Sequence, residues 1–205
     1  MEQARAWAAE EPEDALAQRS LGRSLIVLQD WNEALTAIDA ACRLAPDVME
    51  NRRLLIQCRC ALGDYRTALE ELTALHDEYP QDTSIAIALV RLLAACPAET
   101  VRDGVRAIEL AEQLLSAQQT AIGKETLACA LHEVGRTDEA LAAINAAIEA
   151  CGEDGAPAVR RRMDAVQTAI SQGLPFRERW PLADPVESLA IVTDPAVKPS
   201  AEAGR

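Results

Sequence analysis

Residues Gly63–Pro80 read GDYRTALEELTALHDEYP, and residues Gln29–Pro46 read QDWNEALTAIDAACRLAP. The two align without a gap. Tyr65 answers Trp31, Ala68 answers Ala34, and Pro80 answers Pro46. In the earlier copy Ala34, Leu35, Ile38, Ala41 and Cys42 recur at helical spacing, which predicts an amphipathic helix. Pro46 then stops it, because proline cannot extend a helix interior. The chain writes one helix, with one stop signal, twice at a fixed interval.

Working outward, each copy is preceded by a second helical stretch. ALAQRSLGRSLIVL, with Leu21, Leu25 and Leu28 on one face, comes before the turn at Gln29–Trp31. ENRRLLIQCRCAL comes before Gly63–Tyr65. A later copy reads AIGKETLACALHEV, then Gly135–Thr137, then DEALAAINAAIEAC. Between them SIAIALVRLLAAC meets Pro97, and PAETVRDG replaces the tight turn before VRAIELAEQLLS. The units span 15–48, 49–82, 83–120 and 121–153, the third being the longest. Its expanded connection is expected to bulge at the surface. A lone helical hairpin leaves an apolar face exposed, and a stacked second copy covers it. Gly22, Ala34, Ala41, Ala68 and Ala140 let helices approach closely, and Trp31 and Tyr65 would fill the gap between units.

The pattern resembles the tetratricopeptide repeat (TPR), a helix–turn–helix unit of about 34 residues. Leu21, Gly22, Trp31, Ala34, Ile38, Ala41 and Pro46 stand at its signature places. So do Leu55, Tyr65, Ala68, Leu72 and Pro80, and Leu127, Gly135, Ala140, Ile144 and Ala147. The chain departs from the pattern at Gln18 and Arg52, where the family often carries Trp, and at Ile56, where it carries a small residue. The resemblance implies an all-α, right-handed solenoid.

Composition agrees with an all-helical protein. Only 3% of residues are aromatic, so the core must be built from Leu, Ile and Ala. The formal net charge of −13 argues against general nucleic-acid binding and against anionic membrane surfaces. The N-terminus lacks an apolar signal-peptide core, and no apolar run is long enough for a bilayer. The six cysteines are scattered through helices. They are expected to be reduced and buried in a cytoplasmic protein.

The ends differ from the middle. Residues 1–14 read as a capping helix or the tail of a preceding repeat. Residues 156–172, with Pro157 at a favoured first-turn position and Gly173 after the last turn, read as a capping helix. Residues 173–205 form an extended, proline-rich tail. Phe176 and Trp180 are its candidate contacts, either with its own solenoid or with a partner, and beyond about Asp194 disorder is expected.

No nucleotide-binding, metalloprotease or hydrolase motif occurs. Cys129 and His132 share a helix face, but a metal site would need further ligands. No catalysis, metal or cofactor is expected. The resemblance implies a concave groove lined by the first helix of each unit. It would receive Leu16, Arg19, Arg23 and Ile26 from unit one, Glu50, Arg53, Gln57 and Cys60 from unit two, Ser84, Ile87, Arg91 and Ala94 from unit three, and Ile122, Glu125, Cys129 and His132 from unit four. Arginine grips carboxylates with two prongs, so such a groove can hold an acidic or C-terminal peptide segment, or the chain's own tail. The opposing expectation is that these arginines only pair with neighbouring carboxylates. A heat-shock carboxylate clamp is excluded. Its places hold Arg19, Arg23, Leu54, Ser84 and Ala88, with neither asparagine. The expected function is a scaffold, adaptor or accessory subunit binding a protein or peptide. The alternative is the helical portion of a larger enzyme such as a transferase.

Overall fold

The computed structural model describes residues 1–152 and 155–177. Among these the chain forms α1 (Glu2–Glu10), α2 (Ala15–Val27), α3 (Trp31–Leu44), α4 (Met49–Leu62), α5 (Tyr65–Glu78) and α6 (Thr83–Ala95). A short 3-10 turn at Glu99–Val101 follows, then α7 (Gly104–Ala117), α8 (Ala121–Glu133), α9 (Thr137–Cys151) and α10 (Pro157–Ser171). The described residues contain no strand. The expectations for Trp180 and for the chain beyond Asp194 lie outside the described residues.

Local chemistry sets the helix boundaries. Asp14, Asp30, Asp82, Asp103 and Thr120 precede helices, and their side chains accept from first-turn amides: Leu16, Glu33, Ser84 and Ile85, Arg106, and Gly123. These are side-chain N-caps, each satisfying a donor that the helix leaves unpaired. Helices α3 and α5 stop one residue before Ala45-Pro46 and Tyr79-Pro80, because the residue before proline is pushed out of the helical region.

The turn inside the hairpins recurs with the same backbone geometry. Gln29, Gly63 and Gly135 each take positive φ, at 60°, 82° and 80°. The following amide then reaches back to a last-turn carbonyl: Asp30 to Leu25, Asp64 to Arg59, Arg136 to Leu131. This is the left-handed helix stop that glycine favours. Unit three breaks it, since Pro97 stands at the place of Gly63 and its ring holds φ negative; the Asp103 amide reaches back to the Leu93 carbonyl instead. Its connection is not a simple bulge. Pro97, Glu99 and Thr100 are exposed, but Val101 is buried. The Arg102 guanidinium donates to the carbonyls of Cys96 and Pro97 and to Glu133 of α8. A buried apolar anchor and a charged clamp pull the loop inward.

Consecutive helices pack into a helical solenoid. Within hairpins α2 lies on α3, α4 on α5, α6 on α7 and α8 on α9. Between hairpins α3 meets α4, α5 meets α6, and α7 meets α8. Helix α6 also packs directly on α8, whereas α4 and α6 are joined chiefly through α5. Helices α1 and α10 cover the ends, on α2 and on α8 and α9. The core falls into two clusters that meet at α4. Leu54, Leu55 and Cys58 face Leu25, Ile26 and Ile38, while Ile56 and Cys60 face Leu72, Leu75 and Leu89. Cys58 and Cys60 therefore point away from each other. Trp31 packs on the first cluster and Tyr65 on the second, as inter-unit fillers.

The departures from the repeat pattern have local explanations. Gln18 donates to the Pro12 carbonyl and ties α2 to the connection after α1. Arg52 pairs with Glu78 of α5. Ile56 stands where unit one has Gly22, and it joins the second cluster. A Cβ at Gly22 would run into Ile38 Cδ1 and Cγ1, so Ile38 would have to shift to admit it.

Gln29→Gly should stabilise by about 1 kcal/mol, because a left-handed non-glycine residue is strained, and Gly63→Ala should destabilise by a similar amount. Gly22→Val should cost about 1–3 kcal/mol by overpacking Ile38, in urea unfolding followed by circular dichroism. Equal midpoints for wild type and Gly22→Val would contradict the close approach.

Candidate functional site

The first helices place the candidate arginines in two rows. Arg19 and Arg53 occupy equivalent places in units one and two, and Arg23, Gln57 and Arg91 in units one to three. Arg19 and Arg23 lie one turn apart on α2 and reach α4. The Arg19 guanidinium donates to Asn51 Oδ1 at 3.4 Å, and Arg23 stands 4.0 Å from Glu50. Arg23 is exposed, so this last contact is a weak surface pair. Arg53 is half-buried and makes no hydrogen bond or ion pair among the described residues. Gln57, one turn on from Arg53, has a buried Nε2 with no acceptor among them.

Arg91 has a different setting. It is 5% exposed and lies inside the stack rather than on an open groove wall. Its Nη2 sits 3.1 Å from Glu125 Oε2, and Arg162 of α10 holds the other carboxylate oxygen at 3.0 Å. Glu125 is 1% exposed. The Cys129 thiol donates to it at 3.4 Å. Burial pushes the Glu125 carboxyl up, but the two guanidiniums outweigh burial, and it lies below the usual carboxylate range. Glu125 is thus an ionised hub joining α6, α8 and α10. The Arg91 Nε remains buried without an acceptor among the described residues.

The segment after α10 packs beside this hub. Gly173 takes positive φ and turns the chain. The Leu174 carbonyl lies 2.7 Å from His132 Nε2 of α8, and the Phe176 ring centroid is 5.4 Å from the Arg162 guanidinium. The latter is a cation–π contact. Arg177 and Arg102 share Glu133, each at 2.7 Å. Of the two candidate tail contacts, Phe176 therefore lies on its own solenoid, and Trp180 is outside the described residues. His132 and Cys129 serve different partners, Leu174 and Glu125. Among the described residues no group of three or more His, Cys, Asp or Glu is placed to hold a metal ion.

All six cysteines are free, and Cys58, Cys60, Cys96 and Cys129 are buried. Burial pushes the Cys58 and Cys60 thiols up to about 12. They are packed as small apolar groups, without thiolate character. No helix among the described residues is long and apolar enough to cross a membrane.

Sequence reasoning did not single out Asn51, Arg102, Glu133 or Arg177. Asn51 is buried, and its amide donates to the carbonyls of Ala41 and Ala45, closing the end of α3. A signal for the hub was present, in that Arg91 and Glu125 are opposite charges one repeat length apart.

Stacked helical hairpins in a solenoid define the class: the fold is that of TPR proteins. The solved structures to which the chain is similar include the following three. TTC0263, a thermophilic TPR protein of Thermus thermophilus, is 22% identical, with TM-score 0.60 over 78% of this chain and 85% of that one. MamA from residue 41 onward, of Desulfovibrio magneticus RS-1, is 14% identical, with TM-score 0.59 over 78% and 90%. YrrB, described as a TPR protein with an unusual peptide-binding site, is 16% identical, with TM-score 0.56 over 83% and 84%. No protein-family model matches the sequence, and no curated protein matches it. At these identities the likeness shows the fold.

The hub predicts a strong asymmetry in acid and on mutation. Glu125→Ala would strand the buried Arg91 guanidinium and take a partner from the half-buried Arg162, and should cost about 3–5 kcal/mol in urea unfolding. Because the folded carboxyl is depressed, its stabilisation is present above the ordinary carboxylate pKa of about 4.3 and lost as pH falls through the folded value. Glu125→Gln should therefore flatten the acid limb of the stability curve. A Glu125→Ala chain as stable as wild type at pH 7 would contradict the hub.

Proposed function

We propose that this chain is a non-catalytic interaction protein, a scaffold, adaptor or accessory subunit. It receives a peptide or protein segment on the concave face of α2 and α4. The observation that carries this reading is an excess of donors. Among the described residues Arg53 has no partner, and Gln57 keeps a buried Nε2 without an acceptor. A buried donor left unpaired costs about 1–3 kcal/mol, so a ligand that supplies acceptors is favoured there. Arg19 and Arg23 extend the same face and are held only at 3.4 and 4.0 Å. Carboxylates and backbone carbonyls are the complementary groups, and a planar guanidinium accepts a carboxylate in two-pronged fashion. This chemistry favours an acidic segment or a free C-terminus.

Arg91 belongs to this reading as support. It is committed to Glu125 and ties α6 to α8 inside the stack. Similarity to YrrB, a protein described as having a peptide-binding site, accords with the reading.

A peptide-display selection on the immobilised chain tests it. The expected ligands carry carboxylates. Arg19→Glu combined with Arg53→Glu should weaken them at least tenfold with helicity unchanged. Ligands without acidic character, or ones indifferent to both substitutions, would overturn the reading.

A further inference from the structure

We propose that Arg23 of α2 and Arg53 of α4 form a seat for one glutamate side chain of the bound segment, and that this carboxylate determines what is recognised. The inference rests on the groove reading above and names the group that the groove receives.

The register of the repeat carries it. Aligned on Leu21, Leu55, Leu89 and Leu127, the first helices place Arg19, Arg53 and Glu125 in one row and Arg23, Gln57 and Arg91 in the other. Arg91 of unit three meets Glu125 of unit four at 3.1 Å, a step from the second row of one unit to the first row of the next. The same step out of unit one leads from Arg23 to Arg53. Where the C-terminal half sets a guanidinium against a carboxylate, the N-terminal half sets a guanidinium against a guanidinium. Out of unit two the step leads from Gln57 to Ile87, which has no side-chain acceptor, and Gln57 Nε2 stays buried without one among the described residues.

Side chains do cross from α2 to α4. Arg19 donates to Asn51 at 3.4 Å, and Arg23 stands 4.0 Å from Glu50. Arg53 follows Glu50 by three positions and shares its helix face. Glu50 does not fill the seat, since it keeps its distance from Arg23 and makes no ion pair with Arg53. Helices α2 and α4 touch only slightly, whereas α6 packs closely on α8. No carboxylate of the chain draws α2 and α4 together as Glu125 draws α6 and α8.

Two guanidiniums facing one another repel, and a carboxylate between them is held from both sides, as Glu125 is by Arg91 and Arg162. Arg53 is half-buried, so the incoming group must enter between side chains. A glutamate carboxylate stands away from its backbone on a flexible stem and reaches in. A terminal carboxylate lies on the backbone itself.

A double-mutant cycle on the full chain tests the seat without any ligand. Arg53→Glu puts a carboxylate at the place that Glu125 holds in unit four. In urea unfolding at low salt, its effect on the unfolding equilibrium constant should favour the folded state at least fivefold more with Arg23 present than with Arg23→Ala. Arg66→Glu on α5, which makes the same change in net charge, should not couple to Arg23. Coupling of Arg53→Glu below twofold would overturn the seat. Acidic peptides selected by display then test the occupant. Changing one ligand glutamate to glutamine should weaken binding to wild type at least tenfold, but binding to the Arg23→Ala, Arg53→Ala chain less than twofold. Amidating the ligand's C-terminus should leave binding unchanged, and loss on amidation alone would overturn the glutamate assignment. Acidic ligands selected alongside a null cycle would sink the seat and leave the groove reading standing. Absence of any acidic ligand would overturn the groove reading, and the occupant with it.

Discussion

A helical hairpin has an apolar face that it cannot cover by itself, and the rest of this structure depends on that constraint. Leu25 and Ile38 in unit one need Leu54 and Leu55 of α4 to be buried, and α4 then presents Ile56 and Cys60 to the next unit. Each helix has two working faces, so the sequence must specify both. The small residues matter for the same reason. Gly22 admits Ile38, and Ala34, Ala68 and Ala140, all fully buried, leave space for helices to close on one another. Burial at about 25 cal/mol per Å² of apolar surface drives the stacking, and the turn geometry fixes its register.

On that frame the charged side chains divide between the two ends of the stack. Toward the C-terminal end Glu125 binds Arg91 and Arg162, and Glu133 binds Arg102 and Arg177. There the arginines are committed to holding α6, α8, α10 and the long connection together. Toward the N-terminal end Arg19 and Arg23 are loosely held, and Arg53 is unpaired among the described residues. The same residue type serves structure in one half and remains available in the other. Burial decides which: a guanidinium desolvated in the stack requires a counter-charge, while one at the rim retains water.

The hairpins were legible in the sequence because their cues are local and redundant. Apolar spacing, the turns at 29–31, 63–65 and 135–137, and Pro46 and Pro80 all agree. The long connection of unit three was legible only as an insertion. Its inward path depends on Val101 and on Arg102 reaching Glu133, a pairing across 31 positions that no local pattern encodes. Arg91 was legible as a first-helix residue at the equivalent place to Gln57. Its burial was not, because it follows from α6 packing closely on α8, a contact that is much slighter between α4 and α6. Phe176 stood out as an apolar residue in a proline-rich tail. Its seat over Arg162 required knowing that α10 faces α8.

The most direct measurement is NMR shift mapping of the full chain titrated with a selected acidic peptide. The account predicts that shifts concentrate on α2 and α4 around Arg19, Arg23, Arg53 and Gln57, while Glu125 and its neighbours stay silent. Shifts centred on the outer helices α5 and α7, with α2 and α4 unmoved, would contradict it.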